Sequence, residues 1–219
     1  MVGSGEAIGR EGGVTLRMNF EFTDEQRMFA ESVRRFARAE LAPGALKRAH
    51  DPHFPFDIAK RMHAQGLMGI TLPEADGGAG GTLMDAVIAI EEVAAACPRS
   101  ADVVQFGNFG PIRAFAEYAT PAQKERWLKR LLEGDMVISL GMSEPDAGSA
   151  VTDLVTSARQ DGTHYVINGS KVFSTFSPDA EIFLVYLRYG PGLGGIGSVI
   201  VERGTPGFSI GKPSSFMSG

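Results

Sequence analysis

Apolar residues recur in two different rhythms along this chain, and the change from one to the other falls near residue 135. Before it, Met28, Phe29, Val33, Phe36, Ala37 and Leu41 follow the three-to-four spacing of an amphipathic helix until Pro43 stops the run. Thr23-Asp24-Glu25-Gln26 starts that helix as a capping box, Thr23 accepting from the first free N–H groups while Gln26 reaches back. A second helix opens at Pro55, runs through Met62 and ends at Gly66. A short apolar run over 67–72 and a loop over 74–81 follow. Thr82 then caps a third helix carrying Leu83, Val87, Ile88, Ile90 and Val93, halted by Pro98. The pattern predicts a fourth helix over 102–118 that tolerates the small residues around 107–110. Thr120-Pro121-Ala122-Gln123 repeats the capping box with Pro at the first helical position, and Gly134 closes the helix it launches. The first half therefore reads as an all-helical bundle.

After Asp135 the period becomes two. Runs rich in Val, Ile and Thr occupy 136–142, 151–159, 165–176, 182–189, 198–202 and 208–210. Turn signals separate them at Asp161-Gly162, Asn168-Gly169, 190–197 and Thr205-Pro206-Gly207, and Asn-Gly is the strongest two-residue hairpin signal. The expected class is α+β, an N-terminal helical bundle followed by a small antiparallel β domain. The expected divisions are an extension over 1–17, a helical domain over 18–134 and a β domain over 135–219. Gly190-Pro191-Gly192-Leu193-Gly194-Gly195 satisfies G-x-G-x-x-G after a strand, but another β-like run follows it. A dinucleotide fingerprint must open a helix, so this one reads as a hairpin loop.

Composition narrows the classes. The chain has 219 residues, 43% of them hydrophobic, enough to bury a core. Its formal net charge of −5 argues against sequence-independent nucleic-acid binding, which needs basic surface. Cys97 is the single cysteine, so neither an intrachain disulfide nor a thiolate cluster is expected. His50, His53, His63 and His164 lack zinc-ligand spacing, and no metal site is expected. No apolar run approaches the ~20 residues of a membrane span. Residues 1–17 carry no apolar signal core, and their Glu6 and Glu11 argue against a mitochondrial presequence. They read as a disordered extension upstream of Met18, and a cytoplasmic location is the default expectation.

One stretch concentrates chemistry. Gly141-Met142-Ser143-Glu144-Pro145-Asp146-Ala147-Gly148-Ser149 sets a hydroxyl, a carboxylate, a proline and a Gly-Ser pair directly after the apolar run 136–140. Such a rigid tip brings backbone N–H groups close to an anionic or planar ligand, although an ordinary β-turn fits the same residues. Lys171-Val172-Phe173-Ser174-Thr175-Phe176 is the second segment. Together they resemble the flavin-binding signature of the acyl-CoA dehydrogenase family, with Phe173 replacing the usual Trp. Phe22-Thr23-Asp24-Glu25-Gln26, Pro73-Glu74 with Gly77-Gly78 and Gly80, and Glu91-Glu92 extend the resemblance from about Phe20 to the last residue.

The resemblance implies an FAD-dependent oxidoreductase that introduces an α,β double bond into an acyl-CoA thioester by α-proton abstraction and β-hydride transfer to flavin N5. It implies cofactor contacts from Leu140, Met142, Ser143, Ser149, Phe173, Ser174 and Thr175, with Thr175 bonding N5 and Ser149 also reaching the substrate. Glu144 would brace its loop, and Glu91-Glu92 would make surface or inter-domain contacts. Ala150 stands where the family generally has Asp, and Phe176 where Asn is common. The family continues into further β strands and a C-terminal helical domain that carries the catalytic base, so no residue here is nominated as base. The chain reads as a truncated portion of a longer enzyme, with an unpaired sheet edge expected. An electron-transferring flavoprotein partner and homo-oligomerisation are the family's expectations. The alternatives are a flavin monooxygenase or oxidase of the same fold, or a non-catalytic partner subunit.

Overall fold

Each capping motif starts a helix where the sequence puts it. The computed structural model describes residues 21–214; the expected 1–17 extension and residues 215–219 lie outside the described residues. Helix α1 spans Asp24–Phe36 behind Thr23, with the Gln26 amide donating to Thr23 Oγ1 at 3.2 Å and the Thr23 amide to Gln26 Oε1 at 3.1 Å. It continues into a single π-helical segment, Ala37–Leu41. Helix α2 (Ala45–Ala49) is a short element that the apolar periodicity did not announce. Helix α3 covers Phe56–Ala64, α4 Leu83–Ala94 behind the Thr82 cap, α5 Pro98–Phe106, α6 Pro111–Tyr118 and α7 Pro121–Leu132.

The fourth predicted helix is thus two. Gly110 takes a positive φ of 65° that helices exclude, and Pro111 then serves as the first residue of α6. Pro98 likewise does more than end α4, since it opens α5. At α7, the Thr120 amide donates to Gln123 Oε1 at 2.9 Å and the Gln123 amide to Thr120 Oγ1 at 3.3 Å. Losing that cap by Thr120→Ala is expected to cost about 1 kcal/mol. For a chain of this size, a thermal melt should show a fall of roughly 2–4 °C. An unchanged melting point would mean that the α7 end is held by packing alone.

Five strands follow: β1 (Ile138–Gly141), β2 (Ser157–Asp161), β3 (His164–Asn168), β4 (Ile182–Arg188) and β5 (Ile196–Glu202). The sheet is mixed, which corrects the all-antiparallel expectation. β1 runs parallel to β4, from Ile138↔Ile182 to Gly141↔Val185, and β2 meets β4 in parallel at Ser157↔Arg188. Among the described residues, the antiparallel strand pairs are β2–β3 and β4–β5. The forty residues 142–181 make this possible, because a parallel return needs a long crossover rather than a tight turn.

The hairpin turns fall at Gly162-Thr163, one residue past the expected Asp161-Gly162, joining β2 to β3, and in the glycine-rich 190–195 loop, joining β4 to β5. Asn168-Gly169 makes no hairpin: β3 ends there, and Gly169 lies so close to Thr156 that a Cβ would stand 2.3 Å from its Oγ1. Residues 171–176 are therefore irregular rather than a strand, and 151–153 form a 3-10 turn before β2. Residues 208–210 join no sheet, although the Phe208 ring packs edge-on against Phe183 at 4.8 Å.

β4 is buried on both faces, as its unbroken apolar run requires. Phe183 and Val185 face a core built with Phe54, Ile58, Met62, Leu67, Val103 and Val104. Ile182 and Leu184 face a second core with Phe115, Trp127, Leu128, Leu131 and Leu132. Sheet and helices thus share both cores. In contrast, all five residues of β3 are exposed, Tyr165, Val166 and Ile167 among them.

Candidate functional site

The two chemistry-bearing segments are bonded to each other. The Val172 amide donates to the Ser143 carbonyl at 2.9 Å, and Ser139 Oγ donates to the Thr175 carbonyl at 2.8 Å. Lys171 Nζ bridges the pair, donating to the Met142 carbonyl at 3.0 Å and to Glu144 Oε1 at 2.7 Å. On the 142–149 side, the Glu144 and Ala147 amides and carbonyls bond each other at 3.0 and 3.2 Å, closing the turn over exposed Pro145 and Asp146.

Glu144 is the buried centre of this arrangement. Besides Lys171, its carboxylate accepts from the Val155 amide at 2.6 Å and the Thr156 amide at 2.9 Å. Burial works to raise its pKa, but the hydrogen bonds from Lys171, Thr156 and Val155 outweigh it and hold the group at about 2. A carboxylate so occupied is a brace rather than a free base. That is the role the resemblance implied for it.

Against these segments lies a cleft of about 240 Å³. Leu140, Met142, Ser143, Val172, Phe173 and Thr175 form one wall; Gln105, Phe106, Phe109, Gly110 and Pro111, from the α5–α6 corner, form the other. Five of the seven expected cofactor residues thus meet in one cavity. Ser149 does not line it, standing exposed after the 144–147 turn, and neither does half-buried Ser174, whose carbonyl accepts from the Ser177 amide at 3.1 Å. The resemblance did not supply the helical wall. Its signal was Gly110-Pro111, a break-and-restart dipeptide that periodicity alone reads as a tolerated interruption.

Backbone strain collects at the same place. Phe173 and Phe176 have positive φ, 57° and 58°, and are the non-glycine residues that do so among the described residues. Each position costs about 1–3 kcal/mol for a bulky side chain. Phe176 is buried, but Phe173 is 82% exposed, so core packing does not account for its ring at the cleft. The Ser143 and Thr175 hydroxyls make no side-chain hydrogen bond among the described residues, whereas the carbonyls of Met142, Ser143 and Thr175 are already taken. The donor set facing the cleft is two free hydroxyls beside an unpacked aromatic face, which suits a planar polar ring. Among the described residues, no group of three or more His, Cys, Asp or Glu side chains is placed to hold a metal ion. No described helix is long and apolar enough to cross a membrane.

The chain is thus an α+β protein with a cleft between a helical corner and a strand-loop wall. The comparisons give its family. The sequence matches the acyl-CoA dehydrogenase N-terminal domain over residues 23–135 and the acyl-CoA dehydrogenase middle domain over 139–218. The chain belongs to the acyl-CoA dehydrogenase family. It is 38% identical over 205 residues to an acryloyl-CoA reductase (NADH) of Anaerotignum propionicum, covering 92% of this chain and 52% of that protein. It is 35% identical to a short-chain-specific acyl-CoA dehydrogenase of Clostridium acetobutylicum, covering 89% and 52%. Among solved structures, a glutaryl-CoA dehydrogenase of Mycobacterium smegmatis in complex with FADH2 superposes with a TM-score of 0.76 at 28% identity, covering 86% of this chain and 48% of that one. The chain spans about half the length of the curated relatives it matches.

Proposed function

We propose that the chain provides the flavin-facing wall of an FAD-dependent oxidoreductase acting on the α,β bond of acyl-CoA thioesters. The observation that carries this is the convergence of Leu140, Met142, Ser143, Phe173 and Thr175 on one cleft, with both hydroxyls unclaimed. The two curated relatives named above are a reductase and a dehydrogenase, which describe one bond change in opposite directions. Bound in the cleft, the flavin would supply the hydride acceptor or donor.

The chain's own residues do the holding. Phe173 would pack on the ring, and the Thr175 and Ser143 hydroxyls would be free to hydrogen-bond to its polar atoms. With a flavin bound, Leu140 and the Phe106 and Phe109 rings would line the cleft with apolar surface and limit water there, which would strengthen each of those bonds. Lys171 and Glu144 hold the two loops together without entering the cleft. Proton abstraction falls to no residue nominated here. An electron-transferring flavoprotein as redox partner and a homo-oligomer in the longer protein accompany this function as proposals.

The cleft is small beside the ~300–1,000 Å³ of typical cofactor sites, so it suits the ring rather than the whole dinucleotide. The test is the absorbance spectrum of the chain after FAD is added and the excess removed. A retained flavin band is expected, with Thr175→Ala and Ser143→Ala each weakening binding roughly fivefold, the worth of one hydrogen bond of ~1 kcal/mol. A chain that retains no flavin would sink the proposal.

A further inference from the structure

Phe176 pairs a left-handed φ of 58° with a ring only 6% exposed. Its ring meets Phe106 edge-on at 4.7 Å and Phe54 at 4.9 Å between centroids, and the Arg99 guanidinium lies over it at 4.9 Å. Phe106 belongs to the helical wall of the cleft, whereas Phe54 and Arg99 lie on its far side, along a separate polar pocket. The same turn is gripped again three residues later. Asp179 accepts from the Phe54 amide at 2.9 Å, and its other oxygen lies 3.0 Å from His53 Nδ1. The Asp179 and Ala180 amides both donate back to the Phe176 carbonyl at 3.0 Å. The helical half therefore holds this turn at two points, by a ring at 176 and by a carboxylate at 179.

Glycine or asparagine would take the positive φ at lower cost, but neither could fill the aromatic cluster. The ring, not the backbone, thus accounts for phenylalanine at this position. We propose that Phe176 is a positioning residue that locks the Phe173–Thr175 segment to the Phe106 wall and so sets the shape of the cleft. Its consequence for flavin rests on the function proposed above; the lock itself does not.

The test compares the chain with Phe176→Leu, which keeps apolar bulk without a ring, and Phe176→Asn, which relieves the backbone without restoring packing. Hydrogen exchange at the Val172, Ser177, Asp179 and Ala180 amides is expected to accelerate at least tenfold in F176L, with the 138–141 strand unchanged. FAD affinity is expected to fall at least fivefold in both variants. Phe54→Leu, which removes a ring partner outside the cleft, should loosen the same amides and decides the matter if F176L does not fold. Wild-type exchange at those four amides would overturn the lock, as would equal acceleration in β1. F176N binding FAD as tightly as wild type would also overturn it, by leaving no role for the ring. If the wild-type chain retains no FAD, the proposed function falls, and the exchange contrast still decides the lock.

Discussion

Glu144→Ala is expected to destabilise the chain by about 3–5 kcal/mol, the cost of breaking a buried ion pair and leaving one partner unpaired. The side chains of Lys171 and Glu144 are 11% and 3% exposed, so the stranded ammonium would keep only the Met142 carbonyl. The Val155 and Thr156 amides would lose their acceptor as well. The same residue predicts an acid limb. Its folded pKa of about 2 lies below the ordinary 4.5, so the unfolded chain takes up this proton more readily than the folded one. Its contribution is therefore full above about pH 4.5 and disappears as the pH falls toward 2, an effect of about 3 kcal/mol. Urea unfolding at pH 7 and at pH 3 measures both effects. The wild type should lose stability more steeply between those pH values than Glu144→Gln does. Equal stability at pH 7, with parallel acid limbs, would show that the carboxylate braces nothing.

Asn108→Ala should cost about 3 kcal/mol and lower the melting temperature by roughly 6–12 °C. Asn108 is fully buried at the α5–α6 corner, where its amide donates to the Leu67 and Val104 carbonyls, both at 2.8 Å. Its side-chain oxygen accepts from the Thr71 amide at 3.3 Å, and its backbone carbonyl from the Thr71 hydroxyl at 2.6 Å. Alanine would leave two buried carbonyls without their donor. Because Phe106, Phe109, Gly110 and Pro111 hang on this corner, flavin affinity should fall along with stability. Differential scanning calorimetry reads the first and a flavin titration the second. A melting temperature within a degree of wild type would mean that packing, not the Asn108 network, fixes the helical wall.

Much of the helical half was legible because its signals are local. Thr23, Thr82 and Thr120 each cap a helix through a residue three positions on, and such short-range bonds depend little on what the rest of the chain brings near. The division at Gly110-Pro111 was missed because apolar spacing on either side stays in phase, so periodicity sees one helix where the backbone makes two. In the β half, 165–176 kept a strand-like composition, yet the chain leaves the sheet at Asn168 because Gly169 must pass against Thr156. Packing between segments distant in sequence decided that, and no window along the chain contains it.

The candidate site divides along the same line. Ser143, Phe173 and Thr175 were recognisable as chemistry from their motifs, but their meeting in one cleft depends on bonds such as Val172 to Ser143 that span almost thirty residues. By itself the sequence determined where the threonine-capped helices start, that the chain turns from helix to sheet near residue 135, and which short segments carry hydroxyls, a carboxylate and glycines together. Tertiary structure alone decided that β1 and β4 run parallel, which groups bury and bond the Glu144 carboxylate, and that Phe176 lies outside the sheet and closes an aromatic cluster. Capping and periodicity act between near neighbours, whereas register, burial and the pKa of a carboxylate depend on what the rest of the chain brings to their side.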